Sequence, residues 1–433
     1  MTDVVALRSV TQGTAEFDSI LARLARRGES DLDRVEPAVR EILSAVRSEG
    51  DVALKRYVER FEKRPLPPVW LQRDYGGQAA LASLSAPVRE ALVEAAARIR
   101  RYHQRQADGL GGFEYTEQGV TLGSRVTPLA RVGVYAPGGK ARYPSSVLMC
   151  AVPAQVAGVT EIIVACPDTS PEVRAACHLA GVHALLDAGG AQAIAALAYG
   201  TESVPRVDKI VGPGNIYVAA ATRLVFGEVD IDSIAGPSEI LVVADGRADP
   251  VLIAADLLSQ AEHDEAAYPL LVTSDPSLVA RVQAELTLQL SDLPRKAIAD
   301  VAVAKNGYVL VVHDRAGLVS VANALAAEHV AVHTTEPRKL ADLILRAGAI
   351  FVGSMTPEAA GDYLAGPSHV LPTGGEARYG APLGVYDFVS RTSIIDYETN
   401  ALIEQGQKIT AFARAEGLEA HARAVEFRTL KNR

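Results

Sequence analysis

The chain has 433 residues, room for about three packing units at ~150 residues each, and a chain this long needs no disulfide or structural metal to make a core. Its residues are 48% hydrophobic and 22% charged, which excludes disorder over most of its length. A net charge of −9 and a 5% aromatic content, with Trp70 the one tryptophan, argue against a nucleic-acid partner, which calls for a basic face or stacking rings.

The stretch Met1 to Leu7 carries Asp3 and no basic run ahead of an apolar segment, so it does not read as a secretory leader. The longest apolar runs, such as Val147 to Val159, are too short to span a bilayer. Cys150, Cys166 and Cys177 lie in apolar stretches without a CxxC pair, which points to core thiols and a reducing cytoplasm rather than disulfides or a thiolate zinc site.

From about Thr14 to Arg101 apolar residues recur at three- and four-residue spacing, as in Ile20 and Leu24 and in Val35, Val39, Ile42 and Val46, and predict helices. At Arg131 the texture changes. Val132 to Tyr135, Glu161 to Cys166, Ala184 to Asp187 and Lys209 to Val211 read as strands. Ser145 to Gly158, Pro171 to Gly181, Ala191 to Gly200 and Asn215 to Gly227 read as the helices between them. Such alternation implies a parallel sheet covered on both faces, because parallel strands need crossover connections. A second run of the same kind begins at Glu239 to Ala244 and continues through Leu270 to Thr273, Tyr308 to Val312 and Ala349 to Val352. After Gly366 the chain is rich in Pro and Gly and closes on a helical stretch, Ala401 to Glu426, which makes a poor core alone and is expected to pack on something else. The fold class expected is α/β, with two parallel-sheet, incomplete Rossmann-like domains, a helical N-terminal segment and an extended C-terminal tail domain.

Glycine-rich turns after strands let a backbone approach phosphates. Gly133 to Gly139 and Val211-Gly-Pro-Gly-Asn215 are such turns, though neither is a GxGxxG fingerprint, and both also suit plain tight α/β connections. Tyr135, Gln192 and Asn215 are the polar groups that end strands or open helices there. Among nine histidines, His263, His329, His369 and His421 stand in the richer settings. Gln260 and His263, three apart on one helical face, offer an oxygen and a nitrogen to a cation, with Glu262 and Asp264 as equal oxygen candidates. Glu328-His329 sets a carboxylate beside an imidazole, a pair suited to proton exchange near neutrality.

These fragments fall into a larger pattern. Ile231-Asp-Ser-Ile-Ala-Gly-Pro-Ser-Glu239 followed by Ile-Leu-Val-Val-Ala-Asp resembles the signature of the histidinol dehydrogenase family. Similar to that family's blocks, and in its order, are Arg131 to Lys140, Tyr143 to Met149, Gly189 to Ala195, Val211 to Asn215, Gln260 to Asp264, Gly361 to His369 and Glu416 to Arg423. The resemblance implies NAD-dependent oxidation of histidinol to histidine through the aldehyde, with one zinc ion per subunit. It implies Glu328 and His329 as the catalytic pair and Gln260, His263, Asp362 and His421 as metal ligands. Ser238, His369 and Glu416 match substrate-contacting positions, as do the ligand residues and His329; Tyr135, Gln192 and Asn215 match the NAD site. It further implies a cytoplasmic homodimer in which the tail brings Glu416 and His421 to the partner's site, with neither nucleic acid nor membrane as partner. The division expected is an N-terminal segment at 1–29, a discontinuous substrate and metal domain at 30–130 plus 239–380, an NAD-binding domain at 131–238 and a tail domain at 381–433.

The chain departs from the family at Ala327 and Val330, where Pro and Leu are usual, and at Gly380 to Tyr386, which lacks a Ser that many members carry. A cysteine route through a thiohemiacetal would fall to Cys150, whose apolar helical setting has no basic neighbour to make a thiolate. A metal-dependent hydrolase or a non-catalytic nucleotide-binding protein would share the glycine turns and the Gln260/His263 face, but not NADH formation from histidinol.

Overall fold

A computed structural model describes residues 6–27, 32–138 and 143–430. Ser30, taken as a domain boundary, and Gly139 and Lys140 of the first glycine-rich block lie outside the described residues. Two six-stranded sheets carry the architecture. Both are built from β-branched runs buried on each face, as parallel strands between helical layers require.

The first sheet runs, edge to edge, Leu71–Gln72, Ala184–Leu186, Glu161–Ala165, Arg131–Tyr135, Lys209–Val211 and Asp230–Ile231, all parallel except the first pairing. The chain winds outward from Arg131–Tyr135 in one direction and then returns to its other side at Lys209–Val211. The carboxyl ends of these two strands therefore flank a topological switch point, where open α/β sheets bind ligands.

The second sheet runs Arg8–Thr11, Tyr308–Val311, Tyr268–Thr273, Glu239–Ala244, His329–His333 and Ala349–Val352, parallel throughout. Its strands at Glu239–Ala244 and His329–His333 are neighbours with Ile240 opposite His329. A third sheet is antiparallel: Val389–Tyr397 pairs with Val120–Pro128, which pairs with Phe113–Glu117.

The observed packing differs from the expected domain division in two places. Residues 1–29 are not a separate helical segment: Arg8–Thr11 is an edge strand of the second sheet, and helix Ala15–Leu24 buries Phe17 and Leu24 against that sheet. Residues 32–108 pack on the first sheet, not the second. Helix Leu32–Glu49 places Val35, Val39, Ile42 and Val46 against Ile194, Leu197 and Val218, while helix Ala86–Asp108 lies against helix Pro144–Ala157 on the opposite face. The physical reason is that helix Gly190–Tyr199 is apolar all round and needs cover on its outer side, whereas the second sheet is already covered by its own helices. The tail is tied to its own chain first, through the antiparallel sheet and the buried Phe388. Beyond these anchors, helices Thr399–Ala415 and Glu419–Leu430 close on each other, Gly406 facing Val425 and Thr429.

A seven-residue linker, 232–238, leaves the carboxyl end of Asp230–Ile231 and enters the amino end of Glu239–Ala244. It spans at most ~25 Å, so the carboxyl rim of the first sheet and the amino rim of the second are held near each other. Hydrogen bonds fix it: Asp232 Oδ2 accepts from Gly212 N at 2.8 Å, Gly236 N donates to Thr373 Oγ1 at 2.8 Å, and Gly374 N donates to Glu239 Oε1 at 2.7 Å. Burial pushes the Asp232 carboxyl up to about 6.

Candidate active site

Side by side at the amino rim of the second sheet, Glu239 and Glu328 precede neighbouring strand positions and clasp each other. Glu239 N donates to Glu328 Oε2 at 2.8 Å, and Glu328 N donates to Glu239 Oε2 at 3.2 Å. Two buried carboxylates so close cannot both be charged without a cation. Arg27 supplies it to Glu239, at 2.5 Å with both side chains out of solvent. Glu328 has no such partner: burial, then the Glu239 charge, pushes its carboxyl well above the usual range.

His329 follows on the strand and turns toward helix Pro250–Ala261. Its Nδ1 lies 2.9 Å from the Glu239 carbonyl oxygen, which places the proton on Nδ1 and leaves the lone pair on Nε2. Nε2 is buried, has no partner among the described residues and sits 4.0 Å from Asp362 Oδ1. Burial depresses the His329 pKa to about 3 and that of His369 to about 4, so both imidazoles are neutral.

Asp362 stands on a π-helical turn, Gly361–Ala365, a distortion frequent at functional sites. A Cβ at Gly361 would fall 2.7 Å from the Phe351 ring, so glycine lets the turn close on Phe351, which itself leans on His329 with ring centroids 5.9 Å apart. Asp362 Oδ1 is 3.8 Å from His369 Nδ1, and burial raises its carboxyl to about 6. Gln260, fully buried at the end of its helix, donates from its amide to Glu358 Oε1 and to the Glu239 carbonyl, both at 3.0 Å, once that amide is oriented to satisfy its neighbours. His263, one turn on, is close enough to weigh on the charge of both His329 and His369. The fold thus brings Gln260, His263, Glu328, His329, Asp362 and His369 together, and Ser238 ends the linker beside them, its carbonyl accepting from Tyr268 N at 3.0 Å.

Sequence reasoning missed Glu358 and Glu239. Glu358 is 2% exposed, 3.8 Å from His329 Nδ1, and raised well above the carboxylate range by burial and by Asp362, Glu328 and Asp256. Atoms of His329, Glu358 and Asp362 that can ligate lie within 4.8 Å of one another. The imidazole of His263, kept neutral by burial, together with the oxygens of Gln260 and Asp362 makes a donor set that fits a first-row cation such as zinc.

Glu416 and His421 are elsewhere in this chain. They line an open, largely apolar cleft formed wholly by the tail hairpin, with Ile409, Phe412, Leu418 and Val425. At the first sheet's rim, Tyr135 Oη accepts from Gly190 N at 3.0 Å, Gln192 is buried in the first turn of helix Gly190–Tyr199, and Asn215 Oδ1 caps helix Ile216–Val225 by accepting from Tyr217 N and Val218 N. Gly212 has φ +115°, and a Cβ there would meet the Tyr135 carbonyl at 2.3 Å, so the turn is open only to glycine. A close-approaching glycine turn leading into a helix N-terminus is a fit place for a pyrophosphate. Cys150 is wholly buried with its thiol pushed well up, which removes it as a nucleophile.

A doubly wound sheet with a nucleotide-type rim, joined to a rim bearing a buried imidazole and carboxylate, is the arrangement of an α/β dehydrogenase. Residues 25–429 match the family model described as histidinol dehydrogenase. The chain is 51% identical to the histidinol dehydrogenase of Syntrophotalea carbinolica over 98% of its own length and 99% of that protein, and 49% identical to that of Aquifex aeolicus over 94% and 96%. The crystal structure of histidinol dehydrogenase from Elizabethkingia anophelis superposes with a TM-score of 0.90 at 32% identity, covering 98% of each chain. The chain belongs to the histidinol dehydrogenase family, whose members are NAD-dependent oxidoreductases.

Proposed function

We propose that this chain oxidises L-histidinol to L-histidine through L-histidinaldehyde, removing four electrons with two NAD⁺ in the last steps of histidine biosynthesis. The observation that carries the reading is His329: a neutral, buried imidazole whose proton is held on Nδ1 by the Glu239 carbonyl and whose Nε2 is open beside Asp362.

When bound, NAD⁺ supplies a hydride-accepting ring and zinc a fixed point for the substrate's amino and imidazole nitrogens. Gln260, His263 and Asp362 would hold the metal, with His421 of the partner subunit completing the set; Ser238, His369 and the partner subunit's Glu416 would contact the substrate. In the first oxidation His329 Nε2 would take the hydroxyl proton, and bound NAD⁺ would supply the hydride acceptor, giving the aldehyde. In the second, Glu328 would take a proton from water as the water oxygen adds to the aldehyde carbon, and His329 would return the proton gained in the first step to the aldehyde oxygen, giving the hydrate. His329 then accepts a hydroxyl proton of the hydrate as the second hydride departs, leaving the acid. Glu328 serves as base in its ionised form, which a cation bound at the neighbouring donors would favour. Tyr135, Gln192 and Asn215 shape the loops that receive the dinucleotide, between strands whose carboxyl ends flank the switch point.

Among the described residues no helix is long and apolar enough to cross a membrane. The apolar cleft around Glu416 and His421 is in keeping with a tail that docks on a second copy of the chain. Purified protein given L-histidinol and NAD⁺ should form two NADH for each L-histidine; absence of NADH with histidinol overturns the reading. For the shared tail, mixing a His421→Asn chain with a His329→Asn chain should restore part of the activity, since one site of each mixed dimer is intact. Verified mixed dimers without activity would refute it.

A further inference from the structure

Opposite the dyad, at the far end of the same strand, His333 meets Asp256: Nε2 to Oδ2 is 2.9 Å, and the two side chains are only 2% and 10% exposed. Neither takes part in the proposed chemistry. Asp256 is four residues before Gln260 on helix Pro250–Ala261, so the two share a helix face. His333 is four residues after His329 on strand His329–His333, so those two share a strand face, with the small Ala331 between them. The helix that bears Gln260, and leads into His263, thus meets the strand that bears His329 at two polar positions, the Gln260 amide 3.1 Å from His329 Nδ1 and Asp256 hydrogen-bonded to His333.

The setting of the outer pair is apolar. Ala244 lies opposite His333 in the sheet and belongs with Val242, Ile253, Leu257 and Ala331 to the apolar core beneath this helix, and His333 Nδ1 has no partner among the described residues. A buried polar pair in such a place contributes little that a well-packed apolar pair would not, because desolvation offsets most of the attraction. What packing cannot supply is a fixed rotation and axial position of the helix, since apolar contacts tolerate sliding and an imidazole-to-carboxylate hydrogen bond does not. Asp256 also weighs on Glu358, whose carboxyl receives the Gln260 amide, so the outer pair bears on the inner position by a second path.

We propose that Asp256 and His333 are a positioning pair that sets the register of the metal-bearing helix against the catalytic strand. This rests on the reading that Gln260 and His263 hold zinc. The test follows zinc itself. Zinc-loaded protein is mixed with a colorimetric chelator and the rate of metal loss is measured alongside Tm. Asp256→Leu and His333→Leu should each lose zinc about 10- to 100-fold faster than the wild type, the range seen when a group that orients a ligand is removed. His333→Gln keeps an N–H for Asp256 and Asp256→Asn keeps an oxygen for His333, and both should stay within about 3-fold of the wild type. Ile253→Ala, a cavity in the same helix, should lower Tm without changing the rate more than about 2-fold. Equal zinc loss in Ile253→Ala and Asp256→Leu at matched Tm, or unchanged loss in Asp256→Leu and His333→Leu, overturns the proposal. A wild type that holds no zinc overturns the metal reading beneath it as well, so the two failures are distinguishable.

Discussion

The two rims that meet across the 232–238 linker treat their polar groups in opposite ways. On the first sheet's carboxyl rim, Tyr135 Oη accepts from Gly190 N of a neighbouring loop, Asn215 caps its own helix, and the turn is shaped by Gly212. On the second sheet's amino rim, His329 Nε2 has no partner among the described residues, and burial raises Glu328, Glu358 and the half-buried Asp362 above the carboxylate range. A satisfied rim makes a rigid cradle, whereas an under-satisfied one is held by the surrounding fold at a cost in stability and is ready to bind and react. Changes on the first rim should therefore read out as stability, and changes on the second as chemistry.

The largest effect expected from that contrast is at His329. His329→Asn should lower kcat by about 10³-fold, the scale of a lost general base, while leaving Tm within a few degrees; a large fall in Tm with modest loss of turnover would invert the contrast. Next comes Glu328→Gln, which keeps an acceptor for Glu239 N. It should slow aldehyde oxidation by about 10²-fold or more and alcohol oxidation by less than ~10-fold, measured with histidinaldehyde and histidinol separately. Equal loss in both steps would remove Glu328 from water activation. On the first rim, Asn215→Ala should cost about 1 kcal/mol of unfolding free energy through the lost helix cap. No change in urea midpoint would show the cap to be idle.

The smallest effect sharpens the boundary between the rims. Asp232 is buried with a pKa raised to about 6 from 3.8. A carboxyl whose folded pKa lies above its unfolded one favours folding only while protonated, so its contribution is full below the unfolded value and is lost as pH rises through about 6. Asp232→Asn, free of that titration, should gain on the wild type by about 1 kcal/mol between about pH 5 and about pH 7. A difference that is flat with pH would count against a titrating Asp232.

Much of the fold was legible because parallel strands buried on both faces must be short β-branched runs, and those at Arg131–Tyr135, Glu161–Ala165 and Glu239–Ala244 stand out between small-residue helices. Arg8–Thr11 did not stand out, since four residues with one buried side chain carry no period. Strand His329–His333 was hidden by the histidines at both its ends, which read as polar punctuation yet point at a helix. The destination of residues 32–108 was unreadable, because an apolar helix face says that it needs a partner without saying which. Gln260, His263, Glu328, His329, Asp362 and His369 were found by their motifs and do converge. Glu358 was not, because a lone Glu in Met355-Thr-Pro-Glu-Ala-Ala360 gains its character only from burial among other acids.

Arg8–Thr11 occupies the outermost position of the second sheet, pairing along its full length with Tyr308–Val311. The family match begins only at residue 25, so a truncation drawn to that limit would strip this cover. Tyr308–Val311 would then present a row of unpaired amides and carbonyls, the template on which sheets of separate molecules join. Shortened versions of the chain should precipitate before they lose any catalytic group, and purification tags belong ahead of residue 8 rather than in its place.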